Sequence, residues 1–260
     1  MEMSDIQGQA TYDQGGPPGE KKISEIGRVF GVLFSPIKTF QDIGRKPTWL
    51  VPLIVVIALT LISQVMVMPR YDLERELDTR LDKARERGVQ VDEKTRDMQL
   101  AVMKKAGPVM GIVGPLIGIP VVYLVLALIY FAVIRLSGGG LSYVGSFSVV
   151  CFTGIPGGIK GLITGFAALG RESVIGSEVQ SLVPSNPGFF LSAEKLGPFA
   201  HTLMQFLDVF GIWGLALTAI GLASVSSWTR GKSATLAIIV YVVMALLLSG
   251  LAGLGAMFGG

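Results

Sequence analysis

The sequence predicts an all-α, polytopic membrane protein, and three observations carry that prediction. Half of the 260 residues are hydrophobic and only 16% are charged, against about 25% in an ordinary soluble chain. The mean hydropathy is +0.59. The charges are bunched, so that residues 47–69, 106–134, 136–159, 209–229 and 233–260 carry none. A bilayer core roughly 30 Å thick is crossed by about 20 residues at 1.5 Å each, and every gap is long enough. Without water, each backbone must satisfy its own hydrogen bonds, which selects helices. A β-barrel would show alternating segments of about ten residues, and VVYLVLALIYFAVI (121–134) alternates nowhere. The gaps place five helices near 48–68, 108–134, 143–169, 203–228 and 233–257.

The same composition excludes several function classes. A single cysteine, Cys151, rules out an intrachain disulfide, and with a single histidine, His201, it removes the usual metal-ligand clusters. No cofactor motif is present. The net charge of +3 gives no footprint for nucleic acid.

Taken in order, residues 1–22 read as a disordered tail, rich in Gly, Pro and Gln. The first 46 residues show no apolar stretch with a cleavage site. Residues 23–46 form an amphipathic arm. Ile23, Ile26, Phe30, Leu33, Ile37 and Phe40 recur at steps of three and four. Ser35 with Pro36 starts a second short helix. Arg28, Lys38, Arg45 and Lys46 flank the apolar positions, which suits a helix lying in the headgroup region. Phe34, Phe40 and Trp49 are its expected membrane-surface contacts, and an indole is favoured at that boundary. The alternative is that the arm packs on the helix ends of its own chain.

Residues 70–105 hold ten Lys/Arg and nine Asp/Glu. Leu73, Leu77, Leu81 and Ala84 stripe one helix, Gly88 stops it, and Asp92 caps a second whose apolar positions are Met98, Ala101 and Val102. This predicts a charged helical hairpin outside the membrane, either solvated ends of the flanking spans or a docking surface. Gly107 and Pro108 mark entry to the second span.

Inside the bilayer, Gly111, Gly114 and Gly118 in the second span, and Gly154, Gly158, Gly161 and Gly165 in the third, are spaced for close helix packing. Pro115, Pro120 and Pro156 are expected to kink their helices. Two ionisable residues fall within predicted spans. Lys160 lies about 14 Å before the end of span three and Asp208 about 8 Å into span four, on the same membrane side. A charge at bilayer depth costs roughly 2.5–3.5 kcal/mol, so the two are expected to meet in one polar crevice. Otherwise Lys160 snorkels and Asp208 serves its helix N-terminus. Basic residues in the arm and in the short loops 135–142 and 229–232 favour a cytoplasmic N-terminus in a cell (inner) membrane. The twelve Lys/Arg of the hairpin and of 170–202 oppose that count.

The stretch FGVLFSPIKTFQDIGRKPTWLVPL (30–53) resembles the opening of bacterial members of the Ypt-interacting-protein (YIP) family, in Phe34, Ser35, Pro36, Phe40, Ile43, Pro47 and Trp49. LMQFLDVFGIWGLALTAIGLASV (203–225) resembles that family's fourth span, through Asp208, Trp213, Gly214 and Gly221. The resemblance covers about 28–258 and implies a five-span protein without enzymatic activity. Eukaryotic members associate with Rab-type GTPases. This chain lacks their acidic-aromatic cytosolic domain and Asp-Leu-Tyr-Gly-Pro motif, which argues against a GTPase partner. The expected role is a scaffold or adaptor that organises membrane lipids or protein partners, with homo-oligomers compatible with the glycine faces. The alternative is a small transporter or channel built on the broken helices and the Lys160–Asp208 crevice.

Overall fold

The structure is a computed structural model and describes residues 23–191 and 193–258. The expected disordered tail, residues 1–22, lies outside the described residues. Eleven helices are described: α1 Glu25–Phe34, α2 Pro36–Arg45, α3 Leu50–Val67, α4 Leu73–Glu86, α5 Glu93–Leu136, α6 Tyr143–Thr153, α7 Ile155–Leu169, α8 Gly176–Val179, α9 Ala193–Phe206, α10 Val209–Val225 and α11 Arg230–Phe258. Among the described residues, extended pairing is limited to one parallel bridge, Tyr71 with Val174.

Four stretches are long and apolar enough to cross a membrane: Leu50–Arg70, Glu93–Leu136, Tyr143–Leu169 and Arg230–Gly255. Together the segments Lys195–Phe206 and Val209–Val225, bent by 49°, are also long and apolar enough, as one broken crossing or a re-entrant loop. The fourth predicted span, 203–228, is therefore not one straight helix. Its break at Leu207–Asp208 follows from Asp208, whose extended backbone (ψ 137°) makes it the N-cap of α10. The third span is interrupted once, at Gly154, with Pro156 in the first turn of α7.

Gly107 and Pro108, the expected entry to the second span, lie within one continuous helix. Helix α5 runs for 44 residues through Pro108, Pro115 and Pro120, about 66 Å at helical rise. Its first turns are the second limb of the hairpin and its remainder is the second span. Asp92 caps it, accepting from Thr95 N–H at 2.9 Å.

The core centres on α6. Every residue from Gly145 to Thr153 is buried, ringed by α2, α3, α5 and α10. Phe40 of α2 meets Phe152 edge to face at 6.5 Å. Helix α10 reaches this centre through glycine. A Cβ on Gly221 would stand 2.7 Å from Val149 and 3.0 Å from Phe40, and one on Gly214 would stand 3.0 Å from the Thr153 carbonyl. The arm, the 137–142 turn and the 226–229 turn share one end of the bundle, where Ser227 N–H donates to Gly140 O and Gly140 N–H to Ser227 Oγ. The hairpin and the loop after α7 lie at the other end.

The seven predicted packing glycines divide into two groups. In the third span, a Cβ on Gly154 would fall on the Tyr123 ring, one on Gly158 would meet Leu59 at 3.0 Å, and one on Gly165 would meet α3 backbone at 3.1 Å. Gly161 accepts from Ser63 Oγ through its carbonyl, at 2.6 Å. In α5, Gly114 and Gly118 face open space and Gly111 has only Met68 Cε at 3.9 Å. These three do not pack helices within the chain. Spacing marks where close approach is permitted, not whether a helix stands there. Gly154→Leu should thus destabilise the protein by about 1–3 kcal/mol of overpacking, read as a lower apparent melting temperature in detergent. Gly114→Leu should leave it unchanged in the isolated monomer.

Candidate functional site

The structure brings Lys160 and Asp208 together. Lys160 Nζ lies 2.9 Å from Asp208 Oδ2, joining α7 to the α9–α10 break. Asp208 is 4% exposed. Its Oδ1 accepts from Phe210 N–H (2.9 Å) and Gly211 N–H (3.2 Å), and the Ser185 hydroxyl donates to Oδ2. Tyr241 of α11 donates to the Phe206 carbonyl at 2.5 Å, across the same break. The carboxylate thus meets an ammonium, a hydroxyl and the positive end of a helix. That is the company a charge needs away from water. Ser185 and Tyr241 are not legible as members, because an uncharged hydroxyl has no cost in lipid large enough to single it out.

A crevice of about 350 Å³ opens beside this pair. Thr60, Ser63 and Gln64 of α3 line one wall, and Gly157, Lys160, Gly161 and Thr164 of α7 the other. Gln180 and Gln205 close its end. His201 stands apart from it, with Nε2 3.2 Å from the Gly188 carbonyl.

The arm is organised by a residue that its cationic pattern hid. Arg28 is 4% exposed. It donates to Asp42 (2.8 Å), Glu25 (3.3 Å), the Lys46 carbonyl (3.1 Å) and Thr48 Oγ1 (2.7 Å), tying α1, α2 and the entry to α3 into one knot. It is therefore not a headgroup-facing cation. Phe40 is likewise corrected, being fully buried in the core and not on the arm's outer face. The outer face is Ile26, Phe30, Phe34 and Ile37, with Phe34 80% exposed. Ser35 occupies the N-cap of α2 with Pro36 at the first position, but its side chain makes no capping bond. Its carbonyl accepts from Thr39 Oγ1 at 3.0 Å. Trp49 is exposed, with its ring 5.4 Å from that of Phe147.

At the opposite end, the hairpin is pinned to itself and to the bundle. Arg96 pairs with Asp78 (2.8 Å) and Lys104 with Glu74 (2.7 Å), joining α5 to α4. Arg75 pairs with Glu178. The buried Glu76 accepts from Gly176 N–H at 2.8 Å and from Arg80 at 2.8 Å. Met98, Ala101 and Val102, the apolar positions of the second limb, are exposed. Met98 is 58% and Val102 60% exposed. Arg96, which pairs with Asp78 of α4, is half-buried, as are Leu100 and Met103.

The Glu76 carboxyl carries a pH dependence. Burial pushes its pKa up, but the Gly176 N–H, Arg80 and Tyr71 outweigh burial and hold it below the usual carboxylate value. A lowered native pKa means that the undocked form binds more protons, so docking strengthens as pH rises. The contribution is complete above the free glutamate value of about 4.3 and is lost as pH falls through the lower native value. Hydrogen exchange should show 73–86 and 174–179 loosening together in that acid window. Glu76→Ala should loosen them at neutral pH, by about tenfold, the worth of one charged hydrogen bond.

Comparison with known proteins follows this geometry. A 25% identical relative is the membrane protein YknW of Bacillus subtilis (strain 168), aligned over 219 residues, 83% of this chain and 86% of that protein. No solved structure matches. The family model for the Yip1 domain matches residues 30–251, from the outer face of the arm through the central α6 to the last turns of α11. The chain belongs to the Yip1 domain family of membrane proteins.

Proposed function

We propose that the protein is a non-catalytic membrane scaffold whose extramembrane hairpin docks a protein partner. The observation that carries this reading is the exposed apolar pair Met98 and Val102. They sit one turn apart on α5, among Lys94, Asp97, Lys104 and Lys105. An apolar patch ringed by charges is the anatomy of a docking surface. It is carried on a helix continuous with the membrane span and braced by the Arg96–Asp78 and Lys104–Glu74 pairs. The basic arm and short basic loops support a cytoplasmic arm in the cell membrane, with the hairpin on the opposite side. The outer face of the arm, Ile26, Phe30, Phe34 and Ile37, lies against the lipid surface in this reading.

The test is in-cell photocrosslinking from a probe residue at Met98, at Val102 and, as a lipid-facing control, at Leu128. A protein adduct of one mass from both hairpin positions, absent from Leu128, is expected. Lipid-only or no adducts at Met98 and Val102 would remove the reading. The alternative of a solute pathway is favoured by the crevice beside Lys160. Solute flux into vesicles that is lost in Lys160→Met and kept after hairpin changes would support it instead.

A further inference from the structure

The crevice between α3 and α7 has a lining whose hydrogen-bonding chemistry can be read atom by atom, independently of the hairpin. A hydroxyl has one proton and an ammonium three. The Thr60 hydroxyl donates its proton to the Val56 carbonyl (2.9 Å), Ser63 to Gly161 (2.6 Å) and Thr164 to Lys160 (3.0 Å). Three hydroxyl oxygens therefore offer the crevice acceptor lone pairs only. Lys160 directs one bond to Asp208 and is partly exposed in the crevice wall, with donor capacity to spare. Gln64, Gln180 and Gln205 add carboxamides that both donate and accept. Lys160 is the one charge in the lining, and the buried Asp208 beside it balances that charge.

A site with donors and acceptors on both walls and no net charge matches a guest that is itself a zwitterion. A bare anion would bring an uncompensated charge beside the buried Lys160–Asp208 pair. The surroundings select the source. The crevice lies between two membrane-crossing helices, α3 and α7. We propose that the crevice binds the zwitterionic headgroup of a phospholipid. Its phosphate oxygens are held by Lys160 and the glutamine amides. Its ammonium is held by the oxygens of Thr60, Ser63 and Thr164.

Gly157 supplies a clean variant. It lines the crevice, and a Cβ there would meet nothing within 4 Å, so Gly157→Leu fills the site without disturbing a packed contact. The full-length protein, purified in maltoside detergent, is titrated with dioleoylphosphatidylethanolamine, dioleoylphosphatidylglycerol or soluble phosphoethanolamine, and retained ligand is read by native mass spectrometry. The expected result is one retained phosphatidylethanolamine, about tenfold tighter than phosphatidylglycerol, as one unmatched charge-assisted bond implies. Gly157→Leu should lose it while keeping the wild-type melting temperature. Equal retention by Gly157→Leu would overturn the site, and phosphatidylglycerol binding as tightly would overturn the zwitterion. Soluble phosphoethanolamine binding as tightly as the lipid would overturn the membrane source.

Discussion

Replacing Asp208 with alanine is expected to cost about 3–5 kcal/mol, the penalty for leaving one partner of a buried ion pair unmatched. Three losses coincide at this position. Lys160 keeps its charge without a counter-ion, the Phe210 and Gly211 amides lose their acceptor, and the Ser185 hydroxyl loses its partner. Asp208→Asn separates them, because an asparagine still caps a helix but leaves Lys160 unpaired. Most of the loss should persist in that variant, since the cap itself is worth only about 1 kcal/mol. Lys160→Met should be costly alone, and Lys160→Met with Asp208→Asn should cost less than the sum, by about 1–3 kcal/mol of coupling. Thermal unfolding in detergent, followed by loss of the monodisperse species, measures all four corners. Strict additivity would show that the two residues do not act as a pair.

The second large effect is expected at Arg28. Its guanidinium reaches two carboxylates, a carbonyl and a hydroxyl from a buried position. Arg28→Met should cost about 3 kcal/mol and free the arm from the bundle while the membrane helices remain folded. Arg28→Lys should not restore it, because a point-charge ammonium cannot span a fork of donors set for several acceptors. Hydrogen exchange of residues 25–45 is the appropriate reading. Fast exchange confined to the arm is expected, and unchanged protection would contradict the role of the knot.

Much of this architecture is legible in the sequence for one physical reason: charges are expensive in lipid, so uncharged gaps of helical length mark the crossings. The Lys160–Asp208 contact follows from the same arithmetic, since two opposite charges at similar depth on one side have few other partners. What was not legible depends on geometry that spacing does not encode. The apolar steps from Ile23 to Phe40 were counted through Ser35, whose non-helical backbone rotates α2 against α1. Phe34 and Phe40 then fall on opposite faces, one outward and one in the core. Pro108 marks the entry to the second span, but a proline removes only one helix hydrogen bond. One bond is not enough to end α5 when apolar residues continue on both sides of it. That Met98 and Val102 are exposed is likewise not encoded in spacing: the buried positions of the hairpin are Leu77 and Leu81, and ion pairs join its limbs.

Helix α5 joins the extramembrane hairpin to the membrane bundle as one body. Pulsed electron spin resonance between labels at Lys94→Cys and Arg135→Cys, in a Cys151→Ala background and lipid vesicles, tests this directly. A continuous helix predicts one narrow distance distribution, no longer than the ~62 Å set by helical rise. A broad or multiple distribution centred well below that length would mean a joint at Gly107–Pro108, and would contradict a docking arm rigidly coupled to the bundle.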